Sequence, residues 1–114
     1  MTMREGLDLG EPFGIVVARD GDVVTVAVTG ELDIDTVPKL EAALEDPPAG
    51  GRLVLDLRSC TFMDSSGVRV LISLDVRARE QNFGFVIARS SGPVQRLLDL
   101  CQVSSRVTTV DAPG

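Results

Sequence analysis

Three apolar runs, Val23 to Thr29, Leu53 to Leu57 and Gly84 to Ala88, are each followed by a polar turn and then by a stretch whose apolar residues recur at helical spacing. No other feature of the chain limits its fold as much. A short apolar run bounded by turn signals reads as a strand covered on both faces, and a helix between two such strands is the connection that lets them lie parallel. The chain is therefore committed to parallel crossovers.

The first of these strands has a partner before it. Gly14-Ile15-Val16-Val17-Ala18-Arg19 reads as a strand, and Asp20-Gly21-Asp22 as the hairpin turn into Val23. Val24, Val26 and Val28 make one face of the returning strand fully apolar, while Thr25 and Ala27 leave the other only mildly polar, as suits a strand inside a sheet. Gly30-Glu31-Leu32-Asp33-Ile34-Asp35 is expected to leave it as a loop. A helix over about Thr36 to Leu44 follows, capped by Asp35 or Thr36, with Pro38 in the first turn where a missing N–H is harmless. Val37, Leu40 and Leu44 form its buried stripe, with Lys39, Glu41 and Glu45 outward. Asp46 to Gly51 ends it.

The second crossover helix begins near Val68 and runs to about Glu80. Val68, Leu71, Ile72 and Val76 are its expected inner face, and Asp75 can pair with Arg79 one turn on for roughly a few tenths of a kcal/mol. The third, Val94 to Leu100, is entered through Gly92-Pro93 with Val94, Leu97, Leu98 and Cys101 inward, and Val107 to Val110 closes as a last strand. The predicted order is β-β-α-β-α-β-α-β: a single α/β domain with a mixed, mostly parallel sheet packed with helices. Residues 13–110 are expected to form that domain, residues 1–12 a flexible N-terminal segment and residues 111–114 a C-terminal tail.

Bulk properties narrow the function. A chain of 114 residues, 44% hydrophobic and 25% charged, can bury one real core. Its net charge of −6 argues against a nucleic-acid-binding surface and suits a protein partner with a basic face. There is no histidine, so the commonest general base and metal ligand are both missing. Cys60 and Cys101 form no CxxC pair and read as two buried small hydrophobes, with no metal or cofactor implied. The acidic start lacks the apolar core of a signal peptide. The longest apolar stretch, Val68 to Val76, is broken by Arg69, Ser73 and Asp75 and cannot span a bilayer. A cytoplasmic protein is expected.

The chemistry concentrates in Thr61-Phe62-Met63-Asp64-Ser65-Ser66-Gly67, between the Leu53–Leu57 strand and the second helix. Two hydroxyls and a carboxylate sit where free backbone N–H groups and the positive end of the helix dipole converge, a place that accepts phosphate. Asp64-Ser65-Ser66 alone is an ordinary N-cap worth about 0.5–2 kcal/mol. Company makes it more than that: the Gly30–Asp33 segment follows a parallel neighbour and should emerge at the same sheet end, so Asp33 and Asp64 would crowd a serine hydroxyl with no metal or lysine to satisfy them. An enzyme using Ser65 as nucleophile with Asp33 or Asp64 as base is disfavoured without histidine. A serine that receives a phosphate is the more natural reading.

Gly30-Glu31-Leu32-Asp33, Phe62-Met63-Asp64-Ser65-Ser66-Gly67 and Pro93-Val94-Gln95-Arg96-Leu97-Leu98-Asp99-Leu100 together resemble the three signature stretches of the STAS domain, in the branch of the bacterial anti-sigma factor antagonists. The resemblance covers about Gly14 to Val110. It implies a protein that, unphosphorylated, binds an anti-sigma factor which is itself an ATP-dependent serine kinase, displaces the sigma factor held there, and lets go once phosphorylated. It places the phosphate on Ser65, with Ser66 as the fallback acceptor, and a phosphatase to remove it. It puts Asp33 beside that serine and makes Glu31, Asp33, Met63, Asp64, Ser66, Gly67 and Arg69 its surroundings. No nucleic acid, membrane or cofactor is implied. The same fold also serves as a scaffold subunit of stress-signalling assemblies or as a small component of lipid transport systems. After Gly67 many members carry Leu-Gly where this chain has Val68-Arg69, so Arg69 adds a bulky charge on the face that meets the kinase.

Overall fold

Strict alternation in the second strand decides which side of the sheet is buried. A computed structural model describes residues 13–90 and 92–113; the expected flexible segment, residues 1–12, lies outside them. Strand β1 (Gly14–Asp20) turns at Gly21, whose φ is 62°, into the antiparallel β2 (Val23–Leu32). Strands β3 (Arg52–Met63), β4 (Gly84–Ala88) and β5 (Thr108–Val110) then add in parallel, so the sheet runs β1-β2-β3-β4-β5. Helix α1 (Val37–Ala43) joins β2 to β3, α2 (Ser65–Gln81) joins β3 to β4, and α3 (Gly92–Leu100) with the short α4 (Val103–Arg106) joins β4 to β5. The predicted order holds, with α4 as an addition.

In register, Val24 faces Leu53 and Val26 faces Leu55, which in turn faces Ile87, so these side chains share one side of the sheet. Buried residues of all four helices join them in a single core. The opposite side carries Thr25, Val54 and Val86, and Pro113 returns there to line a shallow cleft with Ala18, Thr25 and Val54.

Two strands are longer than the sequence pattern suggests. Gly30-Glu31-Leu32 is not a loop but the end of β2, and β3 continues past Leu57 to Met63. The pattern is obscured because β3 carries extra residues: pairing jumps from Ala27–Asp56 to Thr29–Ser59, and again from Gly30–Cys60 to Glu31–Phe62. Bulges of this kind break the two-residue period. Gly30 sits at the second jump with φ 88°, in the region glycine occupies without strain. Asp56 anchors the first, its Oδ1 accepting the Arg58 amide at 3.0 Å while both its oxygens pair with the Arg58 guanidinium at 3.0 and 3.1 Å.

Helix α2 starts at Ser65 rather than near Val68, and its buried stripe is Gly67, Val68, Val70, Leu71, Leu74, Asp75 and Ala78. Ile72 is only half-buried and Val76 is exposed, contrary to expectation. The helix meets the sheet first at Gly67, which sets its rotation and carries the stripe through the positions in phase with it. Asp75 is in that stripe. Its Oδ1 accepts from Arg79 Nε at 3.2 Å, as expected, and its Oδ2 accepts from Arg106 of α4 at 2.9 and 3.1 Å. On α3, Val94 and Leu98 are buried and Leu97 is half-buried, while Cys101 just beyond it is exposed. The chain reverses at Gln102 (φ 63°) and buries Val103 instead.

Candidate functional site

Strands β2 and β3 finish side by side, Leu32 against Met63, and the Asp64 N–H donates to the Leu32 carbonyl at 3.3 Å. Asp33 and Asp64 are thus the next residues of two adjacent parallel strands. The structure places the Gly30–Asp33 segment and the Asp64–Gly67 turn at the same end of the sheet.

Asp64 caps α2, while Asp33 closes the turn that leads into α1, whose N-cap Thr36 makes no side-chain cap bond. Asp33 Oδ1 accepts the amides of Asp35 (3.0 Å) and Thr36 (3.1 Å). Thr36 Oγ1 accepts the Asp33 amide at 2.9 Å and donates to the Glu31 carbonyl at 2.8 Å, which brackets the exit from β2. Asp64 Oδ1 accepts the amides of Ser66 (2.9 Å) and Gly67 (3.4 Å). The expectation of two unsatisfied carboxylates crowding a hydroxyl is therefore corrected in one respect: backbone amides engage Oδ1 of each. The expected set of open N–H groups at the start of α2 is reduced for the same reason.

Ser65, the first residue of α2, is exposed, and Ser66 behind it is half-buried. Among the described residues Ser65 Oγ has no hydrogen-bonded carboxylate to act as a base. Met63 and Leu32 are buried beneath the turn, and Gly67 lies on them. A Cβ at Gly67 would fall 2.6 Å from Met63 Cγ and 3.2 Å from Leu32 Cδ2, so only glycine lets α2 sit this low. Glu31 and Arg69 are exposed on either side.

Between α1 and α2 runs a groove of about 380 Å³ lined by Ile34, Pro38, Glu41, Ser66, Arg69 and Ser73 among others. Ile34 at its rim is 71% exposed, and Phe62, one residue before Met63, is 46% exposed. Neither stands out in the sequence as a site residue. The available signal was an isolated isoleucine between Asp33 and Asp35, and a phenylalanine out of phase with the buried Cys60 and Met63. Cys60 lies just behind the turn; burial pushes its thiol pKa up, offset in part by the neighbouring backbone of Phe62 and Leu32, and its Sγ donates to the Phe62 carbonyl at 3.3 Å. Among the described residues no three His, Cys, Asp or Glu side chains are grouped to hold a metal, and no helix is long and apolar enough to cross a membrane.

This arrangement has relatives. Residues 15–111 match the family model described as Mlab, STAS domain. The chain is 30% identical over 98 residues to proteins named anti-sigma-B factor antagonist from Listeria monocytogenes and Listeria innocua, covering 84% of this chain and 86% of each relative. The crystal structure of an anti-sigma factor antagonist from Mycobacterium paratuberculosis superimposes with a TM-score of 0.72 at 28% identity, covering 89% of this chain and 87% of that one. The unphosphorylated form of the anti-sigma factor antagonist SpoIIAA shares the fold at 17% identity, with a TM-score of 0.62 and 90% of each chain covered.

Proposed function

The chain belongs to the STAS domain family, and from that premise we propose that it is an anti-sigma factor antagonist switched by phosphorylation of Ser65. The observation that carries this reading is the placement of Ser65: an exposed hydroxyl on the first residue of α2, at the sheet end where β2 and β3 finish together. The names of the relatives support the antagonist role.

In this reading the unmodified turn, with Glu31, Asp33, Asp64, Ser66 and Arg69 around it, docks on an anti-sigma factor and releases the sigma factor held there. The partner is an ATP-dependent serine kinase, and it transfers phosphate to the Ser65 hydroxyl that faces it. Phosphoserine carries about −1.5 to −2 charges at pH 7. Added beside Asp64, it makes an already acidic docking surface strongly negative and bulkier while the helix dipole tolerates it, so the fold survives and the complex does not. A phosphatase returns the protein to its binding form. The chain acts as substrate and regulator in the cytoplasm, where sigma factors work. The absence of a carboxylate on Ser65 Oγ among the described residues supports that role over a hydrolytic one.

Titration calorimetry against the anti-sigma kinase co-purified from the same cells tests the reading. Wild type should bind, Ser65→Ala should bind without being modified, and Ser65→Asp should bind at least tenfold more weakly, about 1.4 kcal/mol. Phosphorylated protein should be weaker still. Phosphate found on Ser66 alone would move the switch by one residue. Equal affinity of wild type, Ser65→Asp and phosphorylated protein would overturn it.

A further inference from the structure

The turn that presents Ser65 has already engaged its own donors. Of the first amides of α2, those of Ser66 and Gly67 are held by Asp64 Oδ1, and that of Val68 donates to the Asp64 carbonyl at 3.2 Å. A phosphate on Ser65 does not meet the row of open N–H groups that a helix start ordinarily offers an anion. It also stands next to the Asp64 carboxylate, with Asp33 and Glu31 at the same sheet end and Glu41 across the groove. A doubly charged group in such surroundings calls for a cation.

One cation is within reach along the helix. Arg69 is four residues after Ser65 and three after Ser66, a spacing that puts Cβ atoms about 5–6 Å apart on one face. It is exposed. Among the described residues its guanidinium makes no hydrogen bond or ion pair, as is also true of Arg19, Arg52 and Arg96 on other elements, whereas protein oxygens hold Arg58, Arg77, Arg79, Arg89 and Arg106. Arg69 and Glu41 line the same groove without pairing. Lys39 on α1 is positioned over the Phe13 ring, 6.0 Å from its centroid.

We propose that Arg69 is the built-in counter-ion of phosphoserine 65. Its guanidinium turns one helical turn back to pair with the phosphate oxygens, and in doing so leaves the α1–α2 groove that it lines in the unmodified protein. Phosphorylation then changes the docking surface twice, adding negative charge at Ser65 and withdrawing positive charge from the groove. Arg69 thereby positions the modified group and links it to a surface that Ser65 itself does not line. This rests on the reading of Ser65 as the modified residue.

The test needs no kinase. Phosphoserine is installed at position 65 by genetic encoding in the full chain, alone and with Arg69→Lys or Arg69→Gln, and the phosphate is titrated by phosphorus NMR. Asp33, Glu31, Asp64 and Glu41 are common to all three proteins and cancel in the comparison. With Arg69 the second phosphate pKa should lie about half a pH unit below that of the Arg69→Gln protein. Arg69→Lys should recover much of the shift, and 1 M salt should shrink it. Equal phosphate pKa values in the protein that keeps Arg69 and in its Arg69→Gln variant would overturn the pair while leaving the Ser65 switch intact. A kinase that never modifies Ser65 would remove the switch without altering this titration.

Discussion

Gly67 packs so closely on Met63 that a Cβ on the glycine would sit 2.6 Å from Met63 Cγ. Gly67 is thus a contact surface, on which the first turn of α2 rests against the ends of β2 and β3. Replacing it with alanine improves helix propensity by about 1 kcal/mol, but overpacking a closed contact costs about 1–3 kcal/mol. Gly67→Ala should therefore be destabilised by about 1 kcal/mol, and Gly67→Val by more, in urea unfolding. A Gly67→Ala protein more stable than wild type would show that Met63 yields freely.

The two cysteines should react very differently. Cys60 is 3% exposed and burial holds its thiol protonated, whereas Cys101 is exposed. The thiolate is the reactive form. At about pH 8, near the ordinary thiol pKa, a thiol reagent should label one equivalent of native protein rapidly and the second only as the protein opens. Cys101→Ser should abolish the fast phase.

Asp75 ties α2 to α4 from a nearly buried position, its side chain 8% exposed against 68% for Arg79 and 42% for Arg106. Charged hydrogen bonds of this kind contribute about 1.5–3 kcal/mol, and exposed helix pairs about 0.3–0.5 kcal/mol. The loss of unfolding free energy should be largest for Asp75→Asn, near about 2 kcal/mol, smaller for Arg106→Gln and smallest for Arg79→Gln. An Arg106→Gln protein as stable as wild type would mean that α4 is held by Val103 packing alone.

Acid should find the first β3 bulge. Burial raises the pKa of Asp56, but hydrogen bonds from the Arg58 side chain and amide, with the Arg58 charge, outweigh it and hold the carboxyl below its ordinary value. A carboxyl whose pKa is lower in the folded state contributes stability that is complete above the unfolded value, about 3.9, and is lost as pH falls through the folded one. Asp99, lowered by hydrogen bonds from Ser104 and Gln95, acts in the same window. Asp56→Asn should flatten the dependence of stability on pH below about 4, measured by urea midpoints. An unchanged slope would exclude Asp56 as a contributor.

The order of elements was legible because Val24, Val26, Val28 and the Leu53–Leu57 run state their burial locally. So was the position of the Asp64–Gly67 turn, since a strand-to-helix turn rich in Asp and Ser can be placed from flanking patterns alone. What escaped depends on contacts distant in sequence. The ends of β2 and β3 were hidden by bulges and by exposed Arg58, Ser59 and Thr61, whose polarity reads as loop. The rotation of α2 is set by Gly67 on Met63 and Leu32, so apolarity alone does not place Ile72 and Val76. Arg106 meets Asp75 from 31 residues away, a separation no local pattern reports. That backbone amides engage Oδ1 of both Asp33 and Asp64 is equally invisible, since the turn and the cap that use them depend on where β2 and β3 stop.

With Asp64 bonded to Ser66, Gly67 and Leu32, the segment around Ser65 holds its shape before anything touches it. A visitor finds no loop to organise, so little entropy is lost in ordering this side of a complex and encounter is governed by orientation and electrostatic steering. A charged modification that leaves the turn in place would therefore change the steering of the encounter as well as how long a complex lasts.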